Sequence, residues 1–152
     1  MKLPELLKAL ESISPLPEDD KCSEELLGQY QELLMIAETF DDPRLIKPLL
    51  QSVGYGYGFG LYHTVRHILE SYPAEDLLPA LLQGLQDANA GTRMKCADML
   101  GPFENPNHIP YLLPLLQDDK ELVRACAGLS LSRFAKNYPE IEVQLLQLKD
   151  DP

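Results

Sequence analysis

Along this chain apolar residues recur at three- and four-residue spacing, and no stretch sustains the alternation of a half-buried strand. LPELLKALESI, SEELLGQYQELLMIAETF, DLLPALLQGLQ and IPYLLPLLQ all carry this spacing. The pattern predicts an all-α protein. Polar, proline-bearing segments interrupt it: SPLPEDDK at 14–21, DDP at 41–43, YPAED at 72–76, ENPNHIP at 104–110 and NYPE at 137–140. Proline suits the first turn of a helix and obstructs continuation of the one before it, so each interruption reads as a stop followed by a start. The predicted elements are two N-terminal helices within 2–40, with Ser23 as N-cap of the second, then helical hairpins at 42–72, 76–103 and 109–136, and a capping helix at 140–150. Residues 1–152 are expected to form one domain.

Shifting the chain by 31 residues superimposes Pro48 on Pro79 on Pro110, Leu69 on Leu100 on Leu131, and Tyr72 on Phe103 on Phe134. The same shift carries Leu81 to Leu112, Leu85 to Leu116, Asp87 to Asp118 and Arg93 to Arg124. A fixed period of this size marks stacked units, none of which can bury its apolar face alone. Two units are clear: DLLPALLQGLQDANAGTRMKCADMLGPF and IPYLLPLLQDDKELVRACAGLSLSRFAK. Each has a proline-containing leucine helix, a turn with an aspartate, and a second helix bearing an arginine six residues later. These units resemble HEAT repeats of the armadillo-like helical superfamily. The resemblance implies an α-α superhelix, a right-handed solenoid, in which Asp87, Arg93, Asp118 and Arg124 form a ladder between neighbouring repeats.

The unit at 42–72 departs from that pattern. Where the others place their aspartate turn it carries GYGYGFGLYH, with four of the nine glycines and four of the eleven aromatics in ten residues. Gly56 takes the slot of the ladder aspartate and Tyr62 that of the arginine. A phosphate loop needs GxxxxGK[ST] after a strand, and neither the lysine nor the strand is present. The glycines are therefore expected to allow an irregular connection or a close backbone approach. Tyr55, Tyr57, Phe59 and Tyr62 either pack into the seam between repeats or anchor a partner.

The second helices of a solenoid line one side. Their core positions are expected to include Val65, Leu69, Leu100, Val123, Ala127 and Leu131. The opposite face offers Tyr62, His63, Arg66, His67 and Glu70, then Met94 and Asp98, then Leu129, Arg133 and Lys136. Aromatics and arginine within a polar rim suit protein recognition. His63 and His67 share a helical face, but HTVRH lacks the glutamate of a zinc-protease helix, and two ligands seldom hold a metal. Cys96 and Cys126 read as small apolar core residues, while Cys22 follows carboxylates that disfavour a reactive thiolate. No nucleophile elbow is present, so no catalytic residue, cofactor or metal is expected.

Charge narrows the partner. A formal net charge of −11 disfavours nucleic acid, whose binding draws on lysine and arginine, and favours a basic protein. Acidic residues gather at Glu18, Asp19, Asp20, Glu24 and Glu25, and again at Asp118, Asp119 and Glu121. MKLPELLKALESI lacks the continuous apolar run of a signal peptide, and no segment is long and apolar enough to span a bilayer, so a cytoplasmic location without membrane contact is expected. The expected function is non-catalytic protein binding. Its sharpest form is a bacterial immunity protein that neutralises a cognate toxin, by resemblance to small acidic helical immunity proteins. The rivals are a maturation, lyase-like or chaperone-like HEAT protein holding a client or small ligand, and a HEAT-like enzyme acting on DNA, which the acidity disfavours.

Overall fold

A computed structural model describes residues 1–134 and residue 139. The capping helix expected at 140–150, and Lys136, lie outside the described residues. Among the described residues there are helices and turns and no strand: α1 Leu3–Ile13, α2 Glu24–Glu38, α3 Ile46–Ser52, α4 Leu61–Glu70, α5 Ala74–Gly84, α6 Ala90–Leu100, α7 Ile109–Leu112 and α8 Glu121–Ser132. None of these helices is long and apolar enough to cross a membrane.

Local chemistry explains most of the helix starts. Ser23 caps α2, its hydroxyl accepting from the Leu26 amide at 3.1 Å. Asn89 caps α6 by accepting from the Gly91 amide at 3.1 Å. Pro4 and Pro110 sit in first turns, where a missing N–H costs nothing. One expected helix is broken. The leucine helix of the last unit runs only from Ile109 to Leu112 and continues as a tighter 3₁₀ segment, Leu113–Gln117. Pro114 has no amide to give the Pro110 carbonyl four residues back, so the α-helical ladder ends there.

Packing centres on α6, which lies against α8 and also meets α5 and α3. It is buried on nearly every side, from Gly91 and Thr92 through Met94, Lys95, Cys96 and Ala97 to Leu100. Val65, Leu69, Leu100, Val123, Ala127 and Leu131 are all buried in the core. At the N-terminal end α1 packs on α2 and α3, and α2 on α4. The end of α3 is joined to the start of α6: Thr92 Oγ1 donates to the Leu50 carbonyl at 3.0 Å and Asn89 Nδ2 to the Val53 carbonyl at 2.8 Å. A Cβ at Gly91 would fall 2.1 Å from the Val53 carbonyl, so this backbone approach requires glycine.

The ladder is one rung among the described residues. Arg93 Nε and Nη2 grip the Asp118 carboxylate at 2.9 and 3.2 Å. Burial opposes the Asp118 charge, but the Arg93 hydrogen bonds and the Lys120 amide outweigh it and hold the carboxyl below its usual range. Asp87 instead accepts from the Asn89 amide in its own turn, and Arg124 donates to the Asp118 carbonyl within its own unit. With Tyr62 in the arginine slot, the earlier seam has no guanidinium to offer Asp87.

His108, in the 3₁₀ turn Pro106–His108 before α7, is buried, and its Nδ1 has no hydrogen-bond partner among the described residues. Burial lowers its pKa from the ordinary 6.5. The unfolded chain then takes up a proton before the folded one does, so His108 lets stability fall as pH drops below about 6.5. Urea midpoints at pH 7.5 and 5.5 are expected to differ more in the native protein than in His108→Gln; equal differences would assign the pH response elsewhere.

Candidate functional site

The glycine-aromatic stretch is pinned at three points. Its first tie is Asp19, in the 3₁₀ turn Asp19–Lys21, whose carboxylate accepts from the Tyr57 and Gly58 amides, each at 2.8 Å. In the other two units the amide two residues past the aspartate slot is satisfied locally, Asn89 by Asp87 and Lys120 by Asp118. Here the slot is Gly56, and the carboxylate arrives from far upstream. A Cβ at Gly56 would lie 2.7 Å from Asp19 Oδ1, and its φ of +144° is one that side-chain-bearing residues rarely adopt. Glycine at 56 therefore makes room for an aspartate the unit does not itself carry.

The second tie is Tyr62, only 3% exposed, whose hydroxyl accepts from the Gly54 amide at 2.8 Å. Its ring meets Tyr30 edge-on, with centroids 6.3 Å apart, and burial pushes its pKa up to about 12. The third is Tyr55, which is half-buried. Its hydroxyl accepts from the Leu122 amide at 3.0 Å, and Lys120 Nζ stands 5.4 Å from its ring centroid. Leu122 is in the first turn of α8, where Lys120 at the N-cap provides no side-chain acceptor. Tyr55 thus caps a helix 67 residues away.

These ties divide the aromatics considered as anchors. Tyr55 and Tyr62 are tied into the seam through their hydroxyls, and the Tyr62 ring is buried there. Tyr57 and Phe59 point outward, 71% and 65% exposed. Phe59 holds a left-handed φ of 51°, which costs a non-glycine residue about 1–2 kcal/mol.

Beside Tyr57 an open groove of about 260 Å³ runs between α4, α6 and α8. His63 from α4, Met94 and Asp98 from α6, and Leu122 and Cys126 from α8 line it. Met94 is buried in its wall rather than displayed on a surface. Arg66 braces the rim, with Nη1 3.2 Å from Asp98 Oδ2 and Nε 3.1 Å from Glu70 Oε1. Leu129, one turn beyond Cys126 on α8, is 68% exposed. The histidine pair splits: His63 reaches the groove, while His67 Nε2 comes within 3.8 Å of Glu38 on α2. Arg133 is exposed with its stem against Gly101, away from the groove lining.

Lys95 also lines the groove and was not among the expected site residues. Burial lowers its pKa, opposed by Asp98 and reinforced by Arg66. Cys126 is half-buried at the groove, unlike the enclosed Cys96, and burial raises its pKa to about 11. For Cys22 burial comes first and Asp19 and Asp20 second in raising the thiol pKa. Among the described residues no cluster of three metal-ligating side chains occurs.

The fold defines a class, an α-helical repeat solenoid, with a groove between its second helices α4, α6 and α8. By comparison with known families, residues 78–152 match a model described as "HEAT repeats". The match begins two residues into the first clear unit and covers the second, while the variant unit with the glycine-aromatic stretch precedes it. A comparison with curated proteins gives no match.

Replacing Asp19 by alanine strands two amides and is expected to cost about 1–3 kcal/mol in urea unfolding. Gly56→Ala should destabilise the same tie, through its φ and its clash with Asp19. A melting curve unchanged in both variants would show that the long-range carboxylate bears no weight.

Proposed function

We propose that this protein works without chemistry of its own, by binding another protein on the face formed by α4, α6 and α8. The observation that carries this reading is the pair Tyr57 and Phe59, two exposed aromatics on a loop whose backbone is tied at Asp19. Aromatic side chains held outward on a fixed backbone offer large contact area with little ordering left to do on binding. Strain at an exposed Phe59 supports the same view, since strained residues concentrate at functional sites.

In this reading Tyr57 and Phe59 are anchors, His63, Met94 and Asp98 help form the groove beside Tyr57, Arg66, His67 and Glu70 belong to the polar side chains of α4, and Arg133 stands farther off on the same protein. The net charge of −11 favours a basic partner by speeding encounter. A toxin neutralised by its immunity protein is the sharper form of this proposal. A groove of about 260 Å³ falls below the usual range for sites that enclose a small ligand, which favours side chains of a protein over a held cofactor.

Placing a photo-crosslinking benzoylphenylalanine at position 57 in the native host tests the face, with position 35, where Met35 is exposed on α2, as control. One predominant basic protein is expected to be captured from 57 and not from 35. No adduct from 57, or the same adducts from both positions, would refute the proposal.

A further inference from the structure

Lys95 enters the groove from α6 and is 7% exposed. Its ammonium lies 3.7 Å from Asp98 Oδ2, beyond hydrogen-bond reach. That oxygen already sits 3.2 Å from Arg66 Nη1, and Arg66 Nη2 donates to the Asp98 carbonyl at 3.2 Å. Glu70 pairs with Arg66 at the outer rim and is exposed. Two cations thus share one carboxylate inside the groove. The pairing of Lys95 Nζ with Asp98 is therefore a long one. An ammonium has three donors, and one long ion pair leaves donors for a ligand entering the groove. The walls beside it, Tyr57, Tyr62, Met94 and Leu122, are largely apolar.

We propose that the groove receives a carboxylate carried next to an apolar group, supplied by an acidic side chain of the protein partner. The carboxylate completes the hydrogen bonding of Lys95 Nζ, and the neighbouring apolar side chain packs on Met94, Leu122 and Tyr57. This deepens the partner-binding reading of the same face and rests on it. A partner that is basic overall and acidic at one anchor fits both charge patterns: the net negative field acts at long range, and the groove reads one residue at contact. The same carboxylate chemistry could reach the groove on a free organic acid, and the test separates the two.

The full chain, observed by amide NMR, is titrated with the capped dipeptide Ac-Phe-Glu-NH2, its neutral isostere Ac-Phe-Gln-NH2, and free 3-phenylpropionate. The glutamate peptide is expected to shift amides around residues 94–98 and 122–126 saturably. Its affinity should exceed that of the glutamine peptide by about tenfold, the worth of one charge-assisted hydrogen bond, and exceed that of the free acid. Lys95→Met should keep the melting temperature or raise it, because a buried ion is replaced by an apolar side chain of similar shape, and should abolish the glutamate preference. Equal affinity for the two peptides, or no saturable shift at the groove, overturns the proposal without needing the variant. A preference that survives Lys95→Met also overturns it, and tighter binding of the free acid overturns the partner as its source. Specific crosslinking from position 57 with no glutamate preference would leave the partner-binding face standing and remove only this inference.

Discussion

An amide at the start of a helix has no acceptor within that helix, and when the start is packed against the rest of the protein water cannot fully replace one. The arrangement of this molecule follows from how those amides are met. Asp87 and Asp118 serve the turns before α6 and α8 from within them, and Asn89 serves the first turn of α6. The variant unit has no acidic or amide side chain in its own turn, so Asp19 is brought in from the N-terminal linker. Lys120 cannot cap α8, and Tyr55 does so from the glycine-rich loop. Each local shortage becomes a long-range tie. The N-terminal helices, the variant unit and α8 are thereby held by polar contacts as well as by the shared leucine core.

The same ties shape the face. With Asp19 fixing the Tyr57 and Gly58 amides and Tyr62 fixing Gly54, the loop has little freedom to fold its remaining aromatics inward. Tyr57 and Phe59 are left outside, Tyr57 beside a groove that Lys95 also lines. Within eight residues the two tied aromatics, Tyr55 and Tyr62, flank the two displayed ones, Tyr57 and Phe59. Glycine between them is needed where the Asp19 carboxylate and the Leu16 carbonyl crowd the backbone at Gly56 and Gly54.

Much of the architecture was legible in the sequence because helical periodicity and proline placement are local signals. Ser23 as a cap and the second-helix core positions from Val65 to Leu131 follow from spacing alone. The Arg93–Asp118 rung was readable through the HEAT resemblance, since a guanidinium and a carboxylate at fixed offsets recur in both clear units. The break at Pro114 was also written in the chain, as two prolines four residues apart, the second with no amide for the carbonyl of the first. What the sequence could not show was pairing between distant segments. Nothing near Gly56 announces Asp19, and nothing near Leu122 announces Tyr55, because the acceptor type is common and the partner is set by tertiary geometry. Lys95 was hidden for a different reason: a lysine on a helix is ordinarily solvated, and only the burial of α6 on all sides makes it part of a groove.

The central claim is that distant side chains satisfy the helix-start amides, and native-state hydrogen exchange reads those amides directly. Gly58 and Leu122 should exchange slowly, with opening free energies close to that of the buried helical amide of Leu69, since releasing either tie requires parting elements that fold together. Exchange of Gly58 and Leu122 at the rates of free loop and first-turn amides, while Leu69 stays protected, would contradict the account.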